Sequence, residues 1–130
     1  MNGAVLAFIG DAVMALYVKE YLVSCGYQKS KELQTMSELF LSAKAQAEFA
    51  KHCLEHQLFD EQALDIFHRG RNHKSTTIPK NSDVITYRLA TGIEAVWGHY
   101  HVQKDVLKLE RLWETYKRFI KEKHETISLR

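Results

Sequence analysis

Ala4-Val5-Leu6-Ala7-Phe8-Ile9-Gly10-Asp11-Ala12-Val13-Met14-Ala15-Leu16-Tyr17-Val18-Lys19-Glu20-Tyr21-Leu22-Val23 is the stretch on which the reading of this chain turns. Val5, Leu6, Phe8, Ile9, Val13, Leu16, Tyr17, Tyr21 and Leu22 leave almost no polar face, so it reads as a helix that is apolar nearly all round. Such a helix is normally buried in the middle of a domain. One carboxylate, Asp11, interrupts the run. An ionised acid in an apolar helix is costly unless something compensates it. Ala4, Ala7, Gly10, Ala12 and Ala15 leave room beside it for whatever does.

Outward from this stretch, helical patterns follow one another and strand signals are nearly missing: there is no sustained alternation and no Asn-Gly or Asp-Gly turn. Gly26, within Cys25-Gly26-Tyr27, is placed to end the first helix. Helical pattern resumes from about Ser30 to His56, with a bend or break expected between Ser37 and Ser42, and Asp60 is placed to cap a short helix reaching Phe67. His68 to Ser82 (HRGRNHKSTTIPKNS) reads as a loop, with no apolar periodicity and the chain's only proline. A helix then starts near Ser82 and Asp83 and runs through Val84, Leu89, Ile93, Val96, Trp97 and Tyr100. The last, from about Asp105 to His124, carries Val106, Leu109, Leu112, Trp113, Tyr116, Phe119 and Ile120 on one stripe and charge on the other, as an outer packing helix does. The expectation is one all-α domain spanning residues 1–130.

Composition narrows the class. The chain has 130 residues, 45% of them hydrophobic, which suits one packed domain rather than a disordered chain. Charged residues are spread too evenly for a membrane span, and Asp11 and Lys19 interrupt the early apolar stretch too soon for a targeting segment. Cys25 and Cys53 form no paired framework, so reduced thiols and a cytoplasmic location are expected. A net charge of +2 says little about partners; the placement of the basic residues says more.

Glu94, in Thr91-Gly92-Ile93-Glu94-Ala95-Val96-Trp97-Gly98, repeats the oddity of Asp11: an acid in a small and apolar run. If the two helices cross, the carboxylates meet, and either one neutralises or both bind a cation. Mg²⁺ takes one or two carboxylates plus waters and phosphate oxygens, so it suits the pair. The alternative is that each acid pairs with a buried arginine such as Arg88. Arg69, Arg71, Lys74 and Lys80, with His68 and His73, concentrate positive charge with no acid before Asp83, as phosphate contact requires; a solvated surface loop has the same composition. His52-Cys53-Leu54-Glu55-His56 matches an inverted zinc-protease spacing, but that chemistry needs a larger chain and a further ligand downstream. His99 and His101 read as features of a helix end.

Leu6-Ala7-Phe8-Ile9-Gly10-Asp11-Ala12-Val13 resembles the signature of the ribonuclease III catalytic domain, and Ile93-Glu94-Ala95-Val96-Trp97-Gly98 resembles its second acidic motif. Ser42-Ala43-Lys44-Ala45-Gln46-Ala47, the run from His68 to Ser75 and the run from Pro79 to Arg88 are similar to the Mini-III branch. The resemblance covers nearly the whole chain, with the motifs in order. It implies a homodimeric, helical, Mg²⁺-dependent endonuclease (Mn²⁺ as a substitute) without a separate RNA-binding domain. It implies double-stranded RNA as substrate, with maturation of a large-subunit ribosomal RNA precursor as the cellular role, and 5′-phosphate and 3′-hydroxyl products. Asp11 and Glu94 inherit the metal-binding catalytic carboxylates, and Phe8 the aromatic position that enters a socket on the partner. Ala4, Ala7 and Thr91 stand where the classical motifs carry further acids, as they do in the Mini-III branch. A non-catalytic RNA-binding dimer that kept the fold is the alternative reading.

Overall fold

A computed structural model of the chain describes residues 1–73 and 83–124. Among these, every regular element is an α-helix: α1 (Gly3–Ser24), α2 (Ser30–Leu41), α3 (Ala43–Glu55), α4 (Glu61–Arg71), α5 (Val84–Val102) and α6 (Val106–Lys123). The all-α expectation and the boundaries of most helices hold because the local stop signals do their work. Gly26 takes a left-handed φ of 97°, and the Gly26 and Tyr27 amides donate back to Val23 and Leu22, closing α1. The break expected before residue 43 falls at Ser42, whose extended backbone ends α2 while its hydroxyl accepts from the Ala45 amide and starts α3. Asp83 and Asp105 cap α5 and α6 in the same way.

Two sequence readings change. The first concerns which helix is central. It is α5, packed against α1, α3, α4 and α6, with an unbroken buried run from Ala95 to Tyr100. By contrast, α1 buries one face (Leu6, Ala7, Gly10, Met14, Val18 and Leu22), and leaves Val5, Phe8, Leu16 and Val23 exposed on the other. An all-round apolar helix needs two covers, and α5 supplies only one of them. The second concerns the start of the loop. His68, Arg69 and Arg71 form the last turn of α4 rather than part of a loop. The buried series Ala63, Ile66, Phe67 and Gly70 carries the helical stripe onward, and its final member has no side chain to announce it. Basic residues in a last turn also complement the helix dipole.

Aromatic side chains fill the space between the layers. Tyr17 of α1 packs on both Trp97 and Trp113, with ring centres 5.7 and 5.9 Å away, so one side chain joins α1, α5 and α6. The fully buried Tyr116 donates its hydroxyl proton to the Phe40 carbonyl, tying α6 to α2.

Asp60 anchors α4 from both sides. Its Oδ1 accepts from the Ala63 amide at 2.8 Å, and its Oδ2 lies 3.2 Å from the Lys108 ammonium of α6. The Ala63 amide first, and Lys108 second, hold its carboxyl below the usual aspartate value. Asp60→Ala is expected to cost about 1–2 kcal/mol, chiefly the lost cap, since an exposed pair adds little. A lowered folded pKa makes this stabilisation present above pH ~4 and lost as pH falls through the folded value. Melting curves of variant and wild type should therefore converge in strong acid.

Candidate active site

The crossing of α1 and α5 is made by glycines. A Cβ added at Gly10 would overlap the Glu94 carbonyl oxygen, and one added at Gly98 would overlap the Leu6 carbonyl oxygen. The two backbones are therefore in direct contact. Gly10 precedes Asp11, and Gly98 lies one turn after Glu94, so this approach brings the two acids together across 83 residues of sequence. Gly3 does the same where α1 passes α4, since its Cβ would lie 2.6 Å from the Arg69 carbonyl carbon, and Gly70 does so where α4 passes α5, since its Cβ would lie 2.7 Å from that of Ala95.

Asp11 and Glu94 share a cleft of about 500 Å³ between α1, α5 and the end of α4. Ala4, Ala7 and Thr91 line it too, giving the small side chains expected beside an acid pair. Asp11 is exposed and Glu94 half-buried. Burial, then a hydrogen bond with Asp11, then the charge of Asp11 push the Glu94 carboxyl up to about 9. Near neutrality the Glu94 carboxyl therefore keeps its proton, which spares the site two facing like charges unless a cation replaces it. Among the described residues neither acid has a basic partner at ion-pairing distance, and Arg88 is exposed at the cleft rim rather than buried against either of them. The buried-arginine alternative is thus not what this site contains.

Among the described residues no group of three Asp, Glu, His or Cys side chains could hold a metal ion. Two carboxylates fit a hard cation such as Mg²⁺ that keeps most of its shell as water and substrate phosphate, and do not fit one that needs a closed protein cage. His52 of α3 and His56, its C-cap, stand with ring centres 4.4 Å apart, but His52 packs on Phe119 and no third ligand joins them among the described residues.

The basic residues divide. Arg69 turns away from the cleft: its guanidinium lies 3.8 Å from Asp65 and donates to the Met1 carbonyl. Arg71 donates to the Asn72 side chain at 3.4 Å and does not line the cleft, while Lys74 and Lys80 lie outside the described residues. His73, Tyr87 and Arg88 line it; the sequence offered Arg88 only as a buried partner of the acids and His73 only as part of the basic run, and it gave Tyr87 no role. Tyr87, Arg88, Thr91 and Glu94 follow helical spacing, which could have found them once Glu94 was chosen. Phe8 also borders the cleft and is 82% exposed, so it takes no part in this chain's core.

The profile of the family described as "Ribonuclease III domain" matches residues 4–105. The chain belongs to the ribonuclease III family. A "Mini-ribonuclease 3" of Enterococcus faecalis is 42% identical over 112 residues, covering 86% of this chain and 85% of that protein. One from Streptococcus pneumoniae is 43% identical over 112 residues, covering 86% and 88%. A crystal structure of a Fusobacterium nucleatum protein superimposes with a TM-score of 0.79 at 29% identity, covering 95% of this chain and 94% of that one. The family resemblance, the helical fold and the class of enzyme expected from the sequence, an endoribonuclease, are borne out together. This ribonuclease carries its two acidic motifs on the helices that cross at Gly10 and Gly98.

Proposed function

We propose that the protein is a divalent-metal-dependent endonuclease for double-stranded RNA, acting as a homodimer, with Asp11 and Glu94 as its metal-holding catalytic carboxylates. The observation that carries this reading is the acid pair: two carboxylates from crossing helices face one cleft, with no basic partner at ion-pairing distance among the described residues. Asp11 and Glu94 would hold Mg²⁺, or Mn²⁺ in its place. When bound, the cation supplies a nucleophilic water at neutral pH and charge for the attacked phosphate. The protein's own part is geometric and electrostatic. The glycine crossing fixes the two carboxylates against each other. Ala4 and Ala7 leave space for a phosphate and its water. Thr91 donates its hydroxyl proton to the Tyr87 carbonyl at 2.9 Å, so it turns only lone pairs to the cleft.

A-form RNA hides its base edges in a deep groove, so recognition rests on shape, phosphates and 2′-hydroxyls. Arg69, Arg71, Lys74 and Lys80 are proposed as backbone contacts, with Arg69 the weakest candidate because Asp65 already engages it. Resemblance to the Mini-III branch points to a large-subunit ribosomal RNA precursor as the natural substrate. No helix among the described residues is long and apolar enough to cross a membrane, and the thiols of Cys25 and Cys53 suit the cytoplasm. The deciding experiment compares duplex RNA, duplex DNA and single-stranded RNA with and without Mg²⁺. Cleavage confined to duplex RNA with metal supports the reading; duplex binding without cleavage under any divalent ion returns it to the non-catalytic alternative.

The homodimer rests on the uncovered face of α1. Val5, Phe8 and Leu16 are 43%, 82% and 58% exposed, and an apolar helix face left in water marks an interaction surface. A twofold pair also offers two antiparallel sites for two antiparallel strands. Phe8→Ala is expected to weaken self-association at least about 10-fold, read by sedimentation. A wild-type chain that stays monomeric at micromolar concentration removes the dimer; a Phe8→Ala variant that dimerises normally removes only the role of Phe8.

A further inference from the structure

Arg88 stands on the side of α5 that carries Tyr87, Thr91 and Glu94, and lines the same cleft as the acid pair. It is exposed, and among the described residues it makes no ion pair or hydrogen bond. Four other described cations are in ion pairs (Arg69 with Asp65, Lys108 with Asp60 and Asp105, Lys117 with Glu114, Lys123 with Glu48), whereas cations such as Lys19 and Arg111 are in none; what sets Arg88 apart is its place in the acid cleft. Asp83, the N-cap of α5, accepts from the Ile85 amide at 3.0 Å and the Thr86 hydroxyl at 3.2 Å and forms no ion pair with Arg88. Residues 74–82 contain no Asp or Glu at all. An arginine beside two carboxylates, and paired with neither, is available to something that enters from outside.

Geometry says where that something lies. Six residues of helix separate Arg88 from Glu94, an axial rise of about 9 Å. The Cα–Cβ bond leans toward the helix N-terminus, so the side chain leads away from the acids, not onto them. A planar guanidinium with parallel donors matches two oxygens of one phosphate, and the base edges it could also grip are hidden in the deep groove of A-form RNA. We propose that Arg88 binds a phosphate flanking the one attacked, on the strand being cut, and so sets the register in which that strand enters the cleft. This rests on the duplex-RNA nuclease reading above.

The full chain with Arg88→Ala and Arg88→Lys tests it, using one duplex RNA for steady-state cleavage in Mg²⁺ and for binding without divalent ions across a salt series. Arg88→Ala should raise KM about 10- to 100-fold with much less change in kcat. Its slope of log affinity against log salt should shrink by about 0.7–0.9, one phosphate's worth. Arg88→Lys should restore the slope but only part of KM, since a point charge replaces the fork. Arg111→Ala, on the separate cavity beside Asp60 and Lys108, should leave both unchanged. If Arg88→Ala melts early, Arg88→Lys decides alone: normal KM together with normal melting overturns the proposal in favour of a structural cation. Unchanged KM and salt slope in a folded Arg88→Ala also overturns it, while wild-type cleavage of the duplex keeps the nuclease reading intact. A wild type that neither binds nor cuts duplex RNA overturns both.

Discussion

Asp11→Asn and Glu94→Gln, each alone, are expected to slow cleavage of duplex RNA by about 10³-fold or more while leaving duplex binding in place. Each change keeps the shape of the side chain and removes one of two charges that a bound cation needs. Losing metal stabilisation of the attacked phosphate removes about 4 kcal/mol from the transition state. Folding should respond in the opposite direction. The Glu94 carboxyl is pushed up to about 9, well above the ordinary glutamate value of 4.5, by burial first and by Asp11 second. A raised folded pKa means that the metal-free protein loses stability as pH climbs from about 4.5 to about 9. Glu94→Gln has no proton to lose there, so without metal it should equal the wild type in acid and exceed it progressively as pH rises. A buried ion pair would behave otherwise: removing one partner would cost about 3–5 kcal/mol and the fold would fail first. Melting curves across pH and cleavage rates on the same two variants therefore separate the two cases. A stable variant that cuts at the wild-type rate would remove that residue from the site.

The second large effect is expected from Gly98→Ala and Gly10→Ala. On an exposed helix, Gly→Ala gains about 1 kcal/mol. Here the new methyl group would overlap backbone, the Leu6 carbonyl from Gly98 and the Glu94 carbonyl from Gly10, and neither can rotate aside. The helices must part, at an expected cost of about 3 kcal/mol or more. Because the crossing also sets the distance between Asp11 and Glu94, cleavage should fall further than the loss of folded protein explains. Denaturant titration gives the first quantity and activity per folded molecule the second. Either variant unfolding at the wild-type midpoint would mean that α1 and α5 do not cross this closely.

The sequence by itself determined the helices and singled out the acids. Asp60, Asp83 and Asp105 are helix starts, and Gly26 a helix stop, through local hydrogen bonding and backbone freedom that need no tertiary partner. Asp11 and Glu94 stood out because an acid among small apolar residues is costly wherever the helix goes. What the sequence left open was set by packing. Nothing in an all-round apolar helix says which face is covered, so the central place of α5 and the exposure of Val5 and Leu16 emerged only from the tertiary arrangement, whereas Phe8 was singled out by family resemblance alone. The last turn of α4 was hidden because Gly70, its buried residue, carries no hydrophobic signal. Arg69 and Arg88 are equally basic on paper. Arg69 lies against Asp65 one turn earlier on α4, a pair the helix itself makes, whereas Arg88 stands at the rim of the acid cleft because of which helices the glycines allow to touch.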